Sequence, residues 1–108
     1  GTPYYSISSS AFTAVADFIF PGTGTWTPTL LKFIAGLATA GNSGELKLRD
    51  ITNGVDVSTT VTINAAGLVI WTPTLQNLPA GEAIFEVQAH KNSAGGSPNV
   101  RVYSMRMR

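Results

Sequence analysis

Hydrophobic and polar residues alternate with a period of two along most of the chain, and helical spacing is nearly absent. Val57, Thr59, Val61 and Ile63 interleave with Ser58, Thr60 and Thr62, the pattern of a strand with one buried and one wet face. Ala83, Phe85, Val87 and Ala89 oppose Ile84, Glu86, Gln88 and His90 in the same way, and Leu46 and Leu48 oppose Glu45, Lys47 and Arg49. Between 11 and 20, the residues Phe12, Ala14, Ala16, Phe18 and Phe20 form the expected core face. The last run reads two ways, because Val100 and Val102 fall on one parity and Tyr103, Met105 and Met107 on the other. The stretch 30–37 comes nearest to a helix, but it is short and holds β-branched, aromatic and glycine residues.

Turn residues punctuate these runs. Pro21-Gly22-Thr23-Gly24, Gly41-Asn42-Ser43-Gly44, Ala65-Ala66-Gly67 and Pro79-Ala80-Gly81 all read as loops, and Lys91–Pro98 is the longest. Asn53-Gly54 stands between two alternating runs and predicts a type I′ hairpin, since both residues tolerate positive φ. The pattern predicts eight strands, near 4–10, 12–20, 26–38, 45–51, 55–64, 68–76, 82–91 and 99–108. Short strands at regular spacing without helices mean an all-β antiparallel sandwich or a small barrel, and eight of them in two halves point to a jelly roll.

The chain echoes itself once. Trp26-Thr27-Pro28-Thr29-Leu30 returns as Trp71-Thr72-Pro73-Thr74-Leu75, and Ala35-Gly36 as Ala80-Gly81, so seven of eleven positions agree. No sustained period follows, which excludes a solenoid. Two equivalent places in a pseudo-symmetric sandwich would need the same local geometry. Each proline lacks an N–H and belongs at an edge, a bulge or a strand start. Each tryptophan would then cap an end of the core, or the pair would serve binding.

Composition narrows the role. The 108 residues make one domain of 11.3 kDa. Gly1-Thr2, with no initiator Met, reads as the start of a fragment or processed part of a longer chain. Only 12% of residues are charged, and 13 Thr, 9 Ser and 6 Asn supply neutral polarity instead. A net charge of +1 argues against a general nucleic-acid binder or a polybasic membrane binder. No apolar run is long enough for a membrane span, so membrane insertion is not expected. The absence of cysteine removes disulfides and thiolate chemistry and leaves the fold to packing alone.

Catalytic chemistry finds little support. The one histidine, His90, shares a polar strand face with Glu86 and Gln88, and no G-x-S-x-G elbow occurs. Glu82 and Glu86 lie about 13 Å apart at extended rise, too far for a glycosidase pair. Asp17 could meet one of them across strands, which spacing alone does not decide. Gly22-Thr23-Gly24 lacks the lysine and helix of a phosphate loop. Asp50, Asn53 and Asp56 flank the Asn-Gly turn and suit either calcium or an ordinary hairpin. Arg101, Arg106 and Arg108, interleaved with Tyr103, Met105 and Met107, read as an edge strand kept soluble by charge. No catalytic residue, metal site or cofactor is therefore expected. Sugar binding keeps candidates, because exposed aromatics stack on pyranose faces: Tyr4, Tyr5, Trp26 and Trp71, with Tyr103 behind them.

The segments TPTLLKFIAGLATAGNSGELKLRDITNGV and LPAGEAIFEVQAHKNSAGGSPNVRVYSMRMR resemble the small β-sandwich modules of bacteriophage virions. Those modules include capsid decoration proteins, head fibres and tail-fibre tips. The likeness spans most of the chain and lies in texture: Thr, Gly and Ala in plenty, few charges, no cysteine, polar loops. It implies a non-catalytic structural or adhesive role in a virion or another extracellular assembly, as a homotrimer touching other virion proteins or a cell-surface glycan. The alternative is a carbohydrate-binding module using its exposed aromatics.

Overall fold

The computed structural model describes residues 3–108. Nine strands form, with no helix among the described residues: β1 (Tyr5–Ile7), β2 (Thr13–Phe20), β3 (Leu31–Leu37), β4 (Gly44–Asp50), β5 (Val55–Asp56), β6 (Val61–Ile63), β7 (Val69–Trp71), β8 (Ala83–Lys91) and β9 (Val100–Met107). They pair antiparallel into two sheets, ordered β1-β9-β3-β7 and β2-β8-β4-β5, with β6 also on β4. Successive strands alternate between the sheets except at β4, β5 and β6, which are consecutive in one sheet. Taken together, β5 and β6 hold one strand's place, which gives the eight-stranded jelly-roll order expected from the pattern.

The expected strand 55–64 divides because its ladder breaks at Ser58. There the Ser58 hydroxyl, not a backbone carbonyl, accepts the Leu48 N–H at 2.9 Å, while Val57 N–H donates to Leu48 O at 3.0 Å. The strands expected at 26–38 and 68–76 are shorter, since Trp26-Thr27-Pro28-Thr29 and Thr72-Pro73-Thr74 lie outside the ladders, while Trp71 ends β7 opposite Phe33. Proline without an N–H cannot extend them.

The core lies between the sheets. Phe20, Phe33, Phe85, Leu31, Leu37, Leu46, Leu48 and Ile63 are fully buried, and the Phe20 and Phe85 rings stack at 4.6 Å. β8 and β4 keep the predicted alternation throughout. β2 does not. Its register slips between Ala14 and Ala16, making Val15 an extra residue. Val15 then packs against the core while Phe12, Ala14 and Ala16 are exposed, and only Phe18 and Phe20 keep their expected side. A bulge also resolves the last strand. Ile34 pairs Ser104 and Ala35 pairs Val102, so Tyr103 is the extra residue, and Val100, Val102, Met105 and Met107 all turn inward.

Two further expectations are corrected. β9 is not an edge but lies between β1 and β3, so its arginines do not guard an open strand. Asn53-Gly54 is not a type I′ pair either. Asp50 faces Val55 across a four-residue loop, Gly54 alone takes positive φ (71°), and its N–H reaches Asp50 O at 2.9 Å. The buried Asp50 carboxylate fixes this loop by accepting the Asn53 main-chain N–H at 2.9 Å and its amide N–H at 2.6 Å.

Candidate functional site

The β2–β3 and β7–β8 connections meet at one end of the sandwich. Thr23 N–H donates to Pro79 O at 2.9 Å and Gly24 N–H to Ala80 O at 3.2 Å, which locks the two together. The first Trp-Thr-Pro-Thr-Leu copy is pinned to the end of β9, since Thr29 and Leu30 N–H both donate to Arg108 O, at 2.7 and 3.1 Å. The second copy is pinned to the segment between β5 and β6. Thr59 N–H donates to Thr74 O, and Thr74 N–H returns to the Thr59 hydroxyl, each at 2.9 Å.

Between the copies lies an open cleft of about 820 Å³. Its floor is apolar, with Pro28 and Pro73 buried and Leu30, Leu75 and Leu78 half-buried. Its walls carry five threonines, Thr23, Thr27, Thr29, Thr72 and Thr74, and the amides of Gln76 and Asn77. Asn77 holds a left-handed backbone (φ 52°), a conformation asparagine tolerates, and its amide donates to Asp56 O at 3.2 Å. The Thr27 hydroxyl donates to Thr23 O at 3.2 Å. Among the described residues, no charged or titratable side chain lines the cleft. Proton transfer therefore has no agent there, whereas a neutral ligand with hydroxyls and C–H faces finds partners for both.

The four aromatic candidates are not brought together. Trp26 is 39% exposed and leans on Phe20, with ring centroids 6.1 Å apart. Trp71 is half-buried on the inner side of β7, and its indole N–H donates to Ala35 O at 2.8 Å. Neither indole lines the cleft that their own motifs build. Tyr4 is covered on one face by the Arg101 guanidinium at 4.4 Å and meets Tyr103 edge-on at 5.5 Å. Tyr5, exposed, borders a small apolar hollow with Val15, Val87, Val102 and Met105. The cleft's threonines were within reach of sequence reasoning, because the echo contains four of them. What it lacked was the fact that both copies reach the same end of the molecule.

The remaining polar candidates have structural partners. His90 Nε2 lies 2.8 Å from Glu45 Oε1 and Nδ1 2.8 Å from Lys91 O, so neither ring nitrogen faces a hydroxyl nucleophile. Asp17 does stand opposite Glu86 across β2 and β8, on the outer sheet face and away from the cleft. Of the three residues around the Asn-Gly turn, Asp50 holds Asn53, and Asp56 is bound by Lys47 at 3.1 Å and Arg49 at 2.8 Å. Burial alone would raise the Asp56 carboxyl. Hydrogen bonds and charge from Arg49 and Lys47 outweigh it and hold the group below its ordinary value.

No family model matches the chain, and no curated protein does. Among solved structures, the chain is similar to one described as the EclA C-terminal domain, a sugar-binding protein. The two share 14% identity and a TM-score of 0.62, over all of this chain and 79% of that one. At that identity the likeness speaks for the fold: a two-sheet antiparallel β-sandwich.

Proposed function

We propose that the protein is a non-catalytic carbohydrate-binding module acting outside the cell, with the threonine-lined cleft as its site. One observation carries this reading: both copies of Trp-Thr-Pro-Thr-Leu converge on a single uncharged cleft of ligand size. Threonine offers a hydroxyl for sugar oxygens and a methyl for ring C–H groups, and the prolines and leucines supply a floor. The sugar-binding description of a protein with the same fold agrees with it. The site differs from the aromatic platform that the sequence suggested, since neither Trp26 nor Trp71 lines the cleft.

Thr72→Val with Thr74→Val tests it, because valine keeps the shape and removes the hydroxyl. Titration against a panel of neutral oligosaccharides should show binding by the parent and about thirtyfold weaker binding by the variant, at roughly 1 kcal/mol for each of the two hydrogen bonds lost. Equal affinity of parent and variant would refute the site.

A structural role in a homotrimeric virion assembly is the second reading. Ile19 pairs Ile84 across β2 and β8, Ile51 N–H donates to Ile84 O, and all three side chains are exposed. An apolar row of that kind suits subunit packing. Light scattering on a sizing column decides: a concentration-independent mass near three chains supports the trimer, and a monomer removes it.

A further inference from the structure

The outer face of the β1-β9-β3-β7 sheet adjoins the cleft and differs from it in charge. Leu30 and Thr72 line the cleft; Lys32 and Ile70 lie two residues along the same extended segments and so on the same side. There Lys32, Arg106 and Arg108 surround a hollow of about 370 Å³ floored by Ile34 and Ile70. Lys32 stands directly opposite Arg106 in register, a juxtaposition of like charges that costs stability until an anion sits between them. Among the described residues none of the three pairs with a carboxylate: the ion pairs are Lys47–Asp56, Arg49–Asp56 and His90–Glu45. All six acidic residues lie on the strands of the other sheet or, for Glu82, just before β8.

We infer that the ligand is an acidic polysaccharide, its sulfate or carboxylate substituents held by Lys32, Arg106 and Arg108 while its neutral hydroxyls occupy the threonine cleft. This rests on the cleft being the sugar site. Two guanidiniums suit the purpose, since each can hold an anionic group through paired N–H bonds. A nucleic acid fits less well, because the floor between the cations is aliphatic and gives bases no stacking surface.

The test measures retention on dextran sulfate, alginate and unsubstituted dextran, with double-stranded DNA as the polyphosphate control. The proteins are the parent, Lys32→Gln/Arg106→Gln, Thr72→Val/Thr74→Val, and Lys91→Gln as a charge control on the other sheet. An acidic polymer should bind more tightly than dextran, and the Lys32/Arg106 variant should lose about tenfold on it. Lys91→Gln should match the parent. Loss of acidic binding with the neutral binding intact places the anion site on this face. Equal retention of dextran and the acidic polymers, or an unaffected Lys32/Arg106 variant, overturns the inference and leaves the cleft standing. DNA binding as tight as that of the acidic polysaccharides also overturns it, in favour of a plain polyanion surface. If no saccharide is retained by any of the proteins, the cleft reading fails as well.

Discussion

Replacing Ser58 by alanine removes the atom that completes a broken ladder. Ser58 is 1% exposed and Leu48 fully buried, so no water can stand in for the lost hydroxyl. The Leu48 N–H would lose its acceptor at 2.9 Å, and Thr59 O would lose the hydroxyl donor at 3.0 Å. A buried donor left without a partner costs about 1–3 kcal/mol, whereas the small side-chain change itself costs little. At an unfolding entropy of about 2.1 cal/mol/K per residue, a chain of this length loses about 4 °C of Tm per kcal/mol. The expected fall is therefore about 8 °C, for a loss of about 2 kcal/mol. Thermal and urea melts followed by circular dichroism measure it, and amide hydrogen exchange at Leu48 locates it. A midpoint within about 2 °C of the parent, with Leu48 still protected, would refute the account of why β5 and β6 part.

Gly36→Ala should be more damaging, because a Cβ there would run into the backbone carbonyl of Gly67, and Leu37 N–H must also stay bonded to Ala65 O at 2.8 Å. A loss of about 3 kcal/mol or more is expected in urea melts, with the 65–67 loop displaced, and a neutral result would show the loop is not held there. Asp56 adds a pH dependence. Its carboxyl lies below the ordinary value when folded, so its stabilising effect is complete above the unfolded carboxylate pKa and fades as pH falls through the folded one. Asp56→Asn should therefore lower Tm at pH 7 by a modest, salt-sensitive amount, and the gap should close in acid; a gap that widens in acid would contradict the ion pairs.

Much of the architecture was legible because period-two alternation and turn residues are local signals. β4 and β8 show it best: every inward residue there follows from parity alone. On β2 and β9, where parity misleads, a single extra residue is responsible. Val15 and Tyr103 each shift the parity of their strands, and such a shift depends on which partner strand lies alongside, something no window of sequence contains. The Asn53-Gly54 turn departed from type I′ because the Asp50 carboxylate offers the Asn53 N–H a partner within the loop. The Trp-Thr-Pro-Thr-Leu echo was visible from the start. Its meaning was not, because the two copies stand in different relations to their strands. One precedes β3 and the other starts on the last residue of β7, and only the wrapping of the chain turns them toward each other.

The uneven placement of charge gives the molecule a polarity that its net charge conceals. Lys32, Arg101 and Arg106 lie on one sheet with Arg108 just past its end, and the acidic residues, with Lys47, Arg49 and Lys91, belong to the other, Glu82 just before it. A chain of net charge +1 would ordinarily pass through an ion-exchange column of either sign with little delay. This one carries an electric dipole roughly normal to its sheets, so at low ionic strength it should be held by both resins, turned over on one relative to the other. At a negatively charged surface the same torque acts before contact: the molecule arrives basic sheet first, with the cleft at its rim already beside whatever that surface displays.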